Sequence, residues 1–61
     1  MVVTIYWENK STLVIRKRIR DQFGIPHYMS VYGETQAEIR EEDMSVLMEL
    51  VKRGFISLRN K

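Results

Sequence analysis

The residues best suited to chemistry are a short basic run, Arg16-Lys17-Arg18-x-Arg20, with Lys10 a few positions before it. Guanidinium and ammonium groups neutralise phosphate through charge and hydrogen bonding, without reading base edges. On a helix the four side chains of the run spread over about 200° of the circumference, a positive collar suited to nucleic-acid backbone. The competing reading is a solvated helix face that keeps a small chain soluble. A second set is aromatic. Tyr6, Trp7, Tyr28 and Tyr32 carry ring faces on which bases stack, or which bury against a partner protein or a second copy, provided one sheet face stays open. Tyr6, Tyr28 and Tyr32 are the candidate stacking or interface residues; tyrosines are also ordinary strand residues. No strand motif of the Lys-Gly-Phe-x-Phe kind, which marks RNA-recognition sheets, accompanies them.

Other chemistries lack their parts. Glu38, Glu41, Glu42 and Asp43 form an acidic cluster, but no glycine bends the run inward around a hard cation, and acids at a helix start account for it. His27 is the single histidine and there is no cysteine, so no transition-metal site or disulfide is expected. Ser11, Ser30, Ser45 and Ser57 stand in no spacing that pairs a nucleophile with a base. The three glycines, Gly24, Gly33 and Gly54, stand singly, whereas a phosphate-cradling loop needs them clustered. A non-catalytic chain without cofactor or metal is the expectation.

The elements that must position these side chains follow from patterning. The chain has 61 residues, 44 % of them hydrophobic, and a net charge of +2. That is one domain, residues 1–61, of a size that buries only about 60 % of its unfolded surface. Charge is uneven: residues 1–33 carry five bases against two acids, and the rest five bases against six acids. The opening Met-Val-Val-Thr-Ile-Tyr-Trp lacks a basic leader and is too short for a membrane span, so a cytoplasmic setting without membrane contact is expected.

Val2 to Trp7 alternates with both faces largely apolar, as a central strand does. Residues 11–25 have two readings. As one helix, Ser11 caps the start, Ile15, Ile19 and Phe23 form the buried stripe, and Lys17, Arg20 and Asp21 face away. Gly24 and Pro26 end it. As strand then helix, residues 12–15 pair back on the first strand across Asn9-Lys10. The single helix is favoured because it lays a longer apolar stripe on the sheet. Residues 27–32 alternate as a strand. Residues 35–40 read either as a helix start, from the Thr35-x-x-Glu38 capping box, or as a strand. In the strand reading, favoured narrowly, Val31 pairs with Ala37 and Met29 with Ile39. Met44, Leu47, Met48 and Val51, widened by Val46 and Leu50, define an amphipathic helix that stops at Gly54, and residues 55–58 have strand composition.

Within this order, Val14-Ile15-x-Lys17-x-Ile19-Arg20-x-x-Phe23-Gly24-Ile25 resembles the strand-to-helix segment of swapped-hairpin DNA-binding domains of the AbrB/MazE type. The resemblance implies a strand over residues 12–15 and contact with DNA. It covers about a dozen residues. Arg16 stands where that family has proline, and the helix ending at Arg53 has no place in so small a domain, so the resemblance is not adopted. The expected fold is α+β, a compact two-layer β-α-β-(β)-α-β arrangement with both helices on one sheet face, ferredoxin-like if the bracketed strand forms. The expected function is a small regulatory binding module contacting nucleic-acid backbone through Lys10, Arg16, Lys17, Arg18 and Arg20. The alternative is a protein-interaction or homodimerising module, an inhibitor or adaptor, acting through the open sheet face or a strand edge.

Overall fold

The computed structural model describes residues 1–59. Strand β1 (Val2–Trp7) is followed by helix α1 (Leu13–Phe23), strand β2 (Glu34–Glu38), helix α2 (Met44–Lys52) and strand β3 (Ile56–Arg59). The three strands form one antiparallel sheet in the order β2-β1-β3. The small α+β fold and the central place of β1 therefore agree with the expectation.

Register decides which residues face the helices. Val3 pairs with Ala37 and Ile5 with Thr35 on one side; Ile5 pairs with Leu58 and Trp7 with Ile56 on the other. These share one face because side chains alternate along a strand. Ile5, Trp7, Ala37 and Ile56 form the core with Ile19 of α1, Leu47 of α2, and Ile25 and Ile39 from the connections. Each fully buried aliphatic side chain contributes about 1.5–3 kcal/mol relative to exposure. Half-buried Ile15 and Phe23 extend the α1 stripe, and Met44, Leu50 and Val51 extend that of α2. Val46 and Met48 lie outside that contact, roughly half exposed.

Residues 13–15 belong to α1 and residue 12 caps it, so the strand implied by the swapped-hairpin resemblance is not formed. The cap is Thr12 rather than Ser11: the Thr12 hydroxyl accepts from the Ile15 amide at 3.3 Å. Ser11 is buried and locks the preceding turn, donating to the Glu8 carbonyl at 2.7 Å. Both helices stop as expected. Gly24 and Gly54 take φ of 66° and 85°, a region closed to most side chains. Gly54 donates to the Val51 carbonyl at 3.0 Å and Phe55 to Leu50 at 3.2 Å, the paired bonds of a Schellman stop.

Residues 27–32 are not a strand. The segment 35–40 does contain one, but its partner is β1, so the expected pairs Val31–Ala37 and Met29–Ile39 are replaced by Val3–Ala37 and by mutual bonds between Met1 and Ile39. Pairing with β1 sets Thr35, Ala37 and Ile39 beside the most buried strand of the sheet, whereas Met29 and Val31 could offer only a solvated hairpin. The bracketed strand, within residues 35–40, does form; the strand expected over residues 27–32 is the one absent among the described residues, so the sheet is three-stranded, not the ferredoxin-like four.

The segment instead lies along the outer edge of β2. Bonds at Met1–Ile39 and Trp7–Gly33 set the alternation, so Glu34, Gln36 and Glu38 turn their backbone groups away from β1. The Ser30 amide donates to the Glu34 carbonyl at 2.8 Å. The Tyr28 hydroxyl accepts from the Gln36 amide at 3.1 Å and donates to the Gln36 carbonyl at 3.3 Å. One phenol thus occupies the place of a strand residue and blunts an edge open to pairing.

Candidate interaction face

Opposite the helices the sheet presents Val2, Thr4 and Tyr6 of β1, Glu34, Gln36 and Glu38 of β2, and Ser57 and Arg59 of β3. The Arg59 guanidinium lies 4.1 Å from the Tyr6 ring centroid, and its Nη1 is 3.8 Å from a Glu34 carboxylate oxygen. The Glu34 side chain is almost wholly buried there. Ser57 donates to the Glu8 carboxylate, and the amino terminus pairs with Glu38. Beside this cluster a depression of about 310 Å³ is lined by Thr4, Tyr28, Ser30, Tyr32, Glu34 and Gln36. Tyr32 is 74 % exposed and Val31, on the same loop, 94 % exposed. A second groove, about 610 Å³, opens at the end of the sheet, between Val2 and Arg59 of the open face and Met44 and Leu58 of the helix side.

The aromatic candidates come together only in part. Tyr28 and Tyr32 flank the depression. Tyr6 is half-buried, with one face already taken by Arg59. Trp7 points to the other side of the sheet, where its indole N–H donates to the Thr35 hydroxyl at 2.9 Å.

The five basic candidates do not form a collar. Arg20, expected to face away, is buried: its guanidinium packs over the Trp7 ring and Nη1 donates to the Pro26 carbonyl at 3.0 Å. Burial lowers its pKa, and the charge of Arg16 adds to the effect. A guanidinium starts so high that it remains charged at ordinary pH. The reason for its inward turn is the planar fork, which lies flat on an indole while its edge reaches a carbonyl. Arg16 holds the turn before α1, with Nε donating to Ser11 Oγ at 3.1 Å and Nη2 to the Glu8 carbonyl at 3.2 Å. Lys10 donates to the Arg53 carbonyl at 2.9 Å, at the end of α2. Lys17 faces solvent, as expected, and pairs with Asp21 at 3.1 Å. Arg18 is exposed and has no bonded partner among the described residues.

Sequence reasoning missed Thr4, Glu34, Gln36 and Arg59. Their signal was the period-two pattern of residues 34–38, which sets Glu34 and Gln36 on one face; it became readable only with β1 as the partner. His27 is exposed in the loop rather than at a strand entrance. Among the described residues no helix is long and apolar enough to cross a membrane. The chain matches no protein-family model, no curated protein and no solved structure.

Proposed function

We propose that this chain is a small non-catalytic regulatory module that binds a partner protein through the open face of its sheet. The observation that carries the reading is the grouping, on that face, of exposed Tyr28, Val31 and Tyr32 around a depression lined by a carboxylate and by no base. Exposed aromatic and aliphatic side chains beside a few fixed polar groups are the composition of a protein-docking surface. A phosphate-binding face needs unpaired bases, and the Arg59 guanidinium on this face is paired with Glu34. Contact with nucleic acid falls to Lys17 and Arg18, the two bases of the run with exposed side chains, and two such contacts give weak, strongly salt-dependent binding.

The test is a photo-crosslinking amino acid placed at Tyr32 and, separately, at Arg18, in the cells that make the protein. The reading expects discrete protein adducts from position 32 and none of the same mass from position 18. Nucleic-acid adducts from position 18, with none from position 32, would replace it by the backbone-binding reading. The double change Lys17→Glu plus Arg18→Glu is the matching charge reversal, because Arg16 and Arg20 are committed to the fold.

A further inference from the structure

We infer that residues 27–32 form a releasable strap, a gate built into the fold that closes the outer edge of β2 and lifts as a unit while the rest of the chain stays folded. This goes beyond the reading of the open face, and its test needs no partner. The strap lies antiparallel to β2, with Tyr28 against Gln36 and Ser30 against Glu34, a step of two residues on each side. A true strand would exchange backbone bonds at both positions. Among the described residues a single backbone bond joins the strap to β2, from the Ser30 amide to the Glu34 carbonyl at 2.8 Å. At the other position the Tyr28 hydroxyl takes the place of a backbone amide and carbonyl, while the Tyr28 carbonyl turns aside to accept from the Thr35 hydroxyl at 2.6 Å.

Hydrogen bonds rather than burial hold the strap down. Every residue from His27 to Tyr32 is exposed, so lifting the segment brings little new apolar surface into water. The chain on either side is fixed. Before the strap, Ile25 is buried and Arg20 donates to the Pro26 carbonyl at 3.0 Å. After it, the Trp7 amide donates to the Gly33 carbonyl at 3.2 Å. An exposed segment held by a few bonds between two fixed ends opens locally, below the free energy of global unfolding. Release bares the outward backbone groups of Glu34 and Gln36, the kind of edge to which an extended segment adds. The same movement dismantles the depression, because Tyr28, Ser30 and Tyr32 line it. The assembled depression and the bare edge therefore exclude each other, and a molecule bound across the depression holds the gate shut.

The experiment is native-state amide exchange of the labelled full chain, read by NMR at rising urea concentrations below the unfolding transition. The Ser30 and Gln36 amides report on the strap. The Thr4, Ile5 and Tyr6 amides, in the strand paired on both sides, report on the whole fold. The inference expects Ser30 and Gln36 to share one opening constant, with protection at least about tenfold below that of β1. Their protection should be nearly flat in urea, since the slope follows the surface newly exposed, while that of β1 falls steeply. Ser30→Ala removes the hydroxyl that accepts from the Tyr32 and Glu34 amides at 3.2 and 3.3 Å, and touches no bond of Gln36. It should still lower protection at Gln36 several-fold, by the same factor as at position 30, and leave β1 unchanged. Full protection at Gln36 in Ser30→Ala would reduce the strap to two independent contacts and overturn the inference. Protection at Ser30 and Gln36 equal to that of β1, with the same urea dependence, would overturn it by making the segment part of the global fold. No protection at either amide in the parent chain would overturn it by showing the edge already open.

Discussion

The Arg20 guanidinium lies 4.5 Å from the Trp7 ring centroid, on the core side of the sheet and not in solvent. One face of the charge rests on an indole, and its edge is bonded to the Pro26 carbonyl. The basic residue thereby ties α1 to β1 and to the start of the loop that edges β2.

Arg20→Ala is therefore expected to destabilise the fold by about 1–3 kcal/mol, from a lost charged hydrogen bond and cation–ring contact. Arg18→Ala should stay within about 0.5 kcal/mol, as surface changes do. Urea unfolding followed by Trp7 fluorescence measures both. Equal effects at the two positions would remove the structural role assigned to Arg20.

Thr35 is fully buried and joins two elements, accepting from the Trp7 indole and donating to the Tyr28 carbonyl at 2.6 Å. Thr35→Val preserves shape but leaves a buried N–H and a carbonyl unpaired, a loss of about 1–3 kcal/mol for the first of these. The same change should speed amide exchange across residues 28–32, since the hydroxyl is one of the loop's anchors. Unchanged exchange there would mean that the Ser30–Glu34 and Tyr28–Gln36 bonds hold the loop without Thr35.

Tyr28→Phe deletes a single oxygen. The Gln36 amide, now bonded to that oxygen, should lose most of its exchange protection, while global stability drops by about 0.5–1.5 kcal/mol. An edge opened in this way is also a pairing site, so sedimentation should detect more self-association than in the parent chain. Retained protection at Gln36 would contradict the edge-blocking role.

Leu47 has no exposed surface and Met48 is 46 % exposed. Leu47→Ala should cost about 2–5 kcal/mol, enough to unfold much of so small a domain at ambient temperature. Met48→Ala should be near neutral, within about 0.5 kcal/mol. A denaturant midpoint for each variant, with the slope unchanged, checks which side of α2 is the buried one.

The candidate docking face was half legible. Tyr28 and Tyr32 could be picked out as exposed-face aromatics, because tyrosine in a short alternating run suits a solvated surface. Glu34 and Arg59 could not, because 25 residues separate them and only their common neighbour, β1, brings them together. Arg20 was misplaced for a related reason. Helical spacing sets its angle on α1, but whether an aromatic ring waits at that angle depends on β1, thirteen residues away in sequence.

By itself the sequence determined what short-range physics controls. The Ile15–Ile19–Phe23 and Met44–Leu47–Val51 stripes specify two helices, Gly24 and Gly54 end them, and the apolar alternation of Val2–Trp7 makes that strand central. Each of these depends on neighbours within about two helical turns or on a two-residue period. Only the tertiary structure decided which strand β2 joins. Two pairings satisfied the local alternation of Thr35, Ala37 and Ile39, one with residues 27–32 and one with β1. The second wins because it buries those side chains in the core, a gain that exists only when distant parts of the chain have met. That choice freed residues 27–32 to edge the sheet, set Glu34 beside Tyr6 and Arg59, and so made the face on which the proposed function rests.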